Sequence, residues 1–310
     1  MNTARNVVVV STYRRPSHTR LCLEAIARAW RWAVTPDTPG WADMIAVCLP
    51  VNWREYPDVQ KESQRVFERN QDVPFEFWLE SCPSNPHAAS RWMLDQAFAI
   101  GAEIALYVED DVVLAPDAFL FCEYAKQAYR HFGNPEYLTS EEDEVEYERD
   151  KLLKDRIAGC CCYHETIPEQ YVAEGRTPDR RLVHLYNGLN TCGGTAFLRE
   201  PYLRYLAPEW NGKQVEPKGF DYSAHFSMYQ YGLFMLNPDW SRSAGIGSTG
   251  GQLSYAQWAE HFGKSITISE YEAVRKWDEF RLSSNPAERA IVKEPWMEAE
   301  IEWRKQNQNW

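Results

Sequence analysis

Residues 105–119 read ALYVEDDVVLAPDAF, so three consecutive carboxylates, Glu109, Asp110 and Asp111, follow directly on an apolar run. Adjacent carboxylates repel one another and lose solvation when partly buried, so a fold that keeps them supplies a compensating cation or raises their pKa values. A divalent metal is the simplest compensation. Side chains alternate along an extended chain, which puts Glu109 and Asp111 on one side and Asp110 on the other. One or two carboxylates then reach the metal, an arrangement suited to Mn²⁺ or Mg²⁺ held mainly by water and substrate phosphates. Such a cation neutralises the charge that develops on a departing diphosphate. The competing reading is an acidic loop that caps a strand, and position alone does not separate the two.

Two further stretches have the composition of a phosphate site. TYRRPSH (12–18) sets Arg14 and Arg15 just past an apolar run, although arginines there are commonly only solvated. SRSAGIGSTGG (241–251) concentrates glycines, hydroxyls and small residues. A loop of that kind can wrap backbone N–H groups around phosphate and can move, but an ordinary glycine-rich turn has the same composition.

The elements that must hold these residues alternate in type. NVVVVSTY (6–13) is a short continuous apolar run rich in β-branched residues, the pattern of a strand buried on both faces. TRLCLEAIARAWRWA carries apolar residues at helical spacing. Further strands are expected at 43–53, 75–80 and 104–108, with a helix over 86–103. Strands alternating with helices predict an α/β domain with a mostly parallel central sheet flanked by helices. Ligands of such sheets bind beyond the carboxyl ends of the strands, where both TYRRPSH and EDD fall. The segment 133–182 is strongly acidic and reads as a variable insertion, with IAGCCCYH as an apolar strand near its end. Residues 183–254 resume the core, and 255–310 read as a C-terminal helical extension.

The 310 residues carry a formal charge of −12, which argues against a broad basic surface for nucleic acid or anionic lipid. The first residues lack a signal-peptide core and no stretch approaches a membrane span, so an unanchored cytoplasmic protein is expected. The eight cysteines are scattered without paired CxxC spacing, and reduced thiols are expected. Aromatic residues make up 14%, a composition compatible with sugar platforms and equally with a large core.

RWMLDQAF followed by LYVEDDVVLAPDAF resembles the N-acetylglucosaminyltransferase I family, inverting enzymes of the GT-A (Rossmann-like) fold that transfer a sugar from a UDP-sugar. PKGFDYS (217–223) and PDWSRSAGIGSTGG (238–251) resemble two later segments of that family in the same order. The resemblance spans roughly residues 6–252 and is specific only in these patches. It implies Asp111 as the direct metal ligand, Asp110 and Glu109 beside the ribose and donor sugar, and Arg14 or Arg15 on the nucleotide. It places Ser241 and Arg242 near the phosphates. A histidine that the family uses on the nucleotide aligns near Ala89, so either His87, two residues away, substitutes for it or the donor contacts differ. The same likeness makes Asp221 the base for the acceptor hydroxyl, with Glu216 in reserve, against the bland reading of Asp221 as a helix N-cap. His225 and His261 are candidate further metal ligands, although a lone histidine beside aromatics is more often packed in a core.

The expectation is a metal-dependent, inverting glycosyltransferase in two halves, 1–132 for the nucleotide sugar and 183–254 for the acceptor. The acceptor is a hydroxyl on a glycan, a glycolipid or a modified DNA base. An unanchored chain fits a bacterial or viral source. A DNA substrate requires a basic channel fed by Arg176, Arg180, Arg181 and Lys218, and binding that falls steeply with salt. A catalytically silent carbohydrate-binding protein is the reading from a different class, and release of UDP from a UDP-sugar excludes it.

Overall fold

The computed structural model describes residues 5–34, 40–50, 52–79, 82–131, 156–163, 179–189, 194–209, 220–247 and 268–283, with the backbone alone for 86, 87 and 220–222. Its first half alternates β1 (Arg5–Ser11), α1 (Pro16–Trp32), β2 (Met44–Cys48), α2 (Pro57–Arg69), β3 (Phe75–Trp78), α3 (Pro86–Ala99), β4 (Ala102–Glu109), β5 (Val112–Leu114) and α4 (Ala118–His131). The second half contributes β6 (Ile157–Cys161), β7 (Leu182–Tyr186), β8 (Thr195–Leu198), a helical segment over 199–209, α5 (Phe220–Tyr231), β9 (Phe234–Pro238), β10 (Ser243–Gly245) and β11 (Arg281–Leu282).

Nine strands form one sheet in the order β11-β7-β9-β6-β8-β4-β1-β2-β3, while β5 and β10 pair separately. β1 to β4 run parallel, β8 enters antiparallel beside β4, and β6 and β9 are again parallel to each other. The expected α/β fold with a mostly parallel sheet is therefore present. The four valines of β1 are all fully buried and divide between two cores. Val8 and Val10 pack with Leu23 and Ile26 of α1 and Phe119 and Phe121 of α4. Val7 and Val9 pack with Met93 and Phe98 of α3 and Met228 of α5. A strand covered on both faces has no polar side to show, so its sequence reads as a continuous apolar run.

Pro16 starts α1 with φ already at a helical value and no N–H to leave unpaired. Gly101, at φ 97°, turns the chain out of α3, so that helix ends at Ala99 rather than at 103. β6 lies within the segment read as an acidic insertion and is a central strand between β8 and β9. A side chain is excluded at Gly159, where a Cβ would sit 1.9 Å from the Ala196 carbonyl oxygen of β8. The seven described cysteines are all buried with no disulfide among them. No described helix is long and apolar enough to cross a membrane.

The C-terminal extension departs from expectation where it is described. Residues 269–283 read as a helix but form turns, a short 3-10 helix at Trp277–Glu279 and β11. Tertiary partners take the backbone groups a helix would have used: the Val274 N–H donates to Asp117 at 3.0 Å and the Ser283 N–H to the Val183 carbonyl at 2.7 Å. Phe280 is inserted against Phe121 and Tyr124, which fixes the segment to α4. The remaining residues of 255–310 lie outside the described set.

Candidate functional site

The register of the parallel sheet pairs Ser11 with Glu109, so the chain leaves β1 and β4 side by side at their carboxyl ends. This brings TYRR against EDD across almost a hundred residues of sequence. Arg15 bridges both aspartates, with Nη2 at 2.5 Å from Asp110 Oδ1 and Nη1 at 2.6 Å from Asp111 Oδ2. Burial opposes the charge of Arg15, but the two aspartates outweigh it and raise its pKa above the ordinary value.

The three carboxylates have separate environments. β4 ends at Glu109, so strand alternation does not extend through the following turn, and Asp110 and Asp111 share one guanidinium instead of pointing apart. Asp110 is buried and also accepts the Tyr13 N–H at 3.1 Å. The Thr19 hydroxyl lies 3.4 Å from the same oxygen. Asp110 therefore fastens the loop after β1 to the end of β4. Glu109 accepts the Tyr107 hydroxyl at 3.2 Å, which in turn accepts Ser90 at 3.1 Å. Burial, then the charges of Asp111 and Asp110, push the Glu109 carboxyl up to about 7. Asp111 keeps one fifth of its side chain exposed.

The described part of the small-residue segment, 241–247, forms a strap laid over these groups, and 248–251 lie outside the described residues. β10 pairs antiparallel with β5, the Ile246 N–H donates to the Asp111 carbonyl at 2.7 Å, and His18 of α1 lies 3.1 Å from the Ile246 carbonyl. A Cβ on Gly247 would fall 2.2 Å from Asp111 Oδ2. The strap thus touches the carboxylate through bare backbone. Gly247→Ala is expected to displace either the strap or the Asp111 carboxylate at a cost of about 1–3 kcal/mol. Chemical denaturation checks this, and an unchanged midpoint would show that the close approach is relieved without cost.

Ser241 and Arg242 are placed differently from what the resemblance implies. Both are fully buried, and their polar atoms face the protein. The Ser241 hydroxyl donates to the Ser243 carbonyl at 2.7 Å. Arg242 donates to the carbonyls of Trp240 and Arg180 and stands 3.3 Å from Asp117. Burial pushes the Asp117 carboxyl up and the Arg242 guanidinium down, and each charge offsets part of the other's shift. Asp117 also accepts Val274, so this pair ties the root of the strap to α4 and to the segment 268–283. In this arrangement Ser241 and Arg242 anchor the strap. Arg242→Met is expected to cost about 3–5 kcal/mol, because it strands Asp117 in the interior. Chemical denaturation measures that loss, and adding Asp117→Asn is expected to restore part of it.

Arg14 is exposed beside Arg15 and sits between two rings, 4.6 Å from the centroid of Tyr13 and 4.6 Å from that of Tyr56. Tyr13 and His18 lie in the TYRRPSH stretch and Gly247 in the small-residue segment, without a role of their own in the sequence, whereas nothing in the sequence points to Tyr56 or to the part played by Asp117. His87 is in the first turn of α3 and Asp221 in the first turn of α5, with only their backbones described. Glu216 and His261 lie outside the described residues. His225 packs beside Tyr186, their ring centroids 6.3 Å apart, and its Nε2 would lie 2.7 Å from a Cβ on Gly188.

Among the described residues no three His, Cys, Asp or Glu side chains form a metal-holding group. A divalent cation here would take Asp111 and complete its shell from water and phosphate. The site suits a hard cation in its donor type, since Asp111 offers carboxylate oxygen and is partly exposed, while Arg15 already holds one of its oxygens and must be displaced from it or share the carboxylate.

No family model matches the sequence, and no curated protein does. Solved structures that it resembles include a mannosyltransferase, PcManGT, from Pyrobaculum calidifontis in complex with GDP-Man and Mn²⁺, at 14% identity and a TM-score of 0.43 over 76% of this chain. S. aureus TarS 1–349 matches at 11% identity and a TM-score of 0.43 over 79% of this chain. The match spans 55% of the first structure's length and 61% of the second's. At these values the overlaps carry nothing about the site or substrate of this chain.

Proposed function

We propose that this chain is a GT-A-type glycosyltransferase that takes its sugar from a nucleotide sugar, with a divalent cation held at Asp111. The observation that carries the reading is the meeting of Arg15, Asp111 and the bare backbone of Gly247 beyond the carboxyl ends of β1 and β4. Ligands of open α/β sheets bind at such strand ends. The resemblance in the EDD, GFDYS and strap segments supports a UDP-sugar donor and an inverting displacement.

Asp111 holds the cation, Mn²⁺ or Mg²⁺, which when bound neutralises charge on the departing diphosphate. Arg15 lies where the diphosphate arrives. Arg14 and its two tyrosine neighbours offer a cation and aromatic faces to the base. The strap supplies backbone over the phosphates and excludes water from one side. Asp221 takes the proton of the acceptor hydroxyl as its oxygen bonds to the anomeric carbon and the bond to the diphosphate breaks on the opposite face. The acceptor is a glycan, a glycolipid or a modified base, and the site of action is the cytoplasm.

A thermal-shift panel of nucleotide sugars with and without Mn²⁺ tests this reading, since a ligand that binds only the folded state raises the midpoint. A shift that needs both a nucleotide sugar and Mn²⁺ supports it. A complete absence of shifts across the panel counts against it.

A further inference from the structure

Arg15 and the metal assigned to Asp111 contend for the same carboxylate, and an exchange between them rests on that metal reading. We propose that Arg15 is an exchangeable counter-ion: it holds Asp111 when no metal is bound and passes to the donor diphosphate when metal and nucleotide arrive together. Asp111 Oδ2 is flanked on two sides, by Arg15 Nη1 at 2.6 Å and by the backbone of Gly247, so a cation that takes this oxygen competes directly with the guanidinium. A dication and a guanidinium on one carboxylate also repel each other strongly at such distances.

The second contact makes exchange feasible. Asp110 is buried and grips the other guanidinium nitrogen, with the Tyr13 N–H holding the carboxylate itself in place. Arg15 can release Asp111 and turn about Asp110 without leaving the site or stranding a buried charge. A diphosphate supplies the anion that receives the freed nitrogen, in the paired geometry that suits a guanidinium. Metal that takes Oδ2 alone breaks an ion pair for which no new partner is offered. Metal and diphosphate together replace every interaction they disturb. Their binding is therefore positively coupled, and by linkage each strengthens the other equally.

The test is a titration of the full chain with Mn²⁺, read from the electron paramagnetic resonance signal of the free ion, with and without inorganic pyrophosphate and against protein-free blanks. Wild type is expected to bind Mn²⁺ weakly alone and at least about 10-fold tighter with pyrophosphate. Arg15→Gln is expected to bind Mn²⁺ alone about 10-fold tighter than wild type and to lose most of the coupling. Arg15→Lys, a single charge unable to bridge both aspartates, is expected to fall between them and guards against a glutamine variant that folds poorly. Circular dichroism melts confirm that each variant is folded. Equal Mn²⁺ affinity in wild type and both variants overturns the exchange while leaving metal binding itself in place. No Mn²⁺ binding by any of the three, with or without pyrophosphate, overturns the metal reading and the exchange together.

Discussion

Asp111→Asn is expected to remove Mn²⁺-dependent nucleotide binding and to lower turnover by at least about 10³-fold, with the fold intact. Loss of residues that merely orient a metal ligand already costs about 10–100-fold, and Asp111 is assigned as the ligand itself. The asparagine keeps the shape of the side chain and one oxygen for Arg15, and the position is partly exposed, so little packing is lost. Asp110→Asn is expected to behave in the opposite way. Asp110 is buried and neutralises part of Arg15, so its loss should appear as a lower denaturation midpoint before it appears in metal affinity. Thermal shift with Mn²⁺ and a nucleotide sugar, beside a denaturant titration, separates the two variants. A full Mn²⁺-dependent shift in Asp111→Asn would show that the metal is bound elsewhere.

Asp221→Asn is expected to lower kcat by about 10²–10⁴ with donor affinity almost unchanged. The amide has nearly the same shape as the carboxylate but cannot take a proton from the acceptor hydroxyl, so chemistry fails while binding persists. Asp221 lies in the first turn of α5, whose later residues Ala224 and Met228 are set into the core, so the helix gives this position a rigid base. Steady-state kinetics gives the first readout, and NMR of the first-formed product gives the second. Inversion at the anomeric carbon agrees with a single displacement. Near-normal turnover in the variant would transfer the role to Glu216, whereas a retained configuration would overturn the displacement mechanism and the family resemblance behind it.

By itself the sequence determined the elements whose signal is local. The valine run of β1 reads as a doubly buried strand because its side chains have no polar alternative, and α1 follows from Pro16 and the apolar spacing after it. The acidic triplet at the end of β4 marks a strand terminus that needs a cation, whichever cation that is. The segment over 269–283 has a helical pattern too, yet Asp117, Val183 and the α4 aromatics capture its backbone and its Phe280, and no local signal contains them. Arg242 was as legible as Arg15 in sequence, since both are arginines beside small or polar residues in loops. Only the register of β1 on β4 brings Arg15 to Asp110 and Asp111, and only the pairing of β10 on β5 brings Arg242 to Asp117, just ahead of α4. Composition records that a charge is present, whereas its role depends on the charges and solvent around it, and those are set by chain segments that meet only on folding.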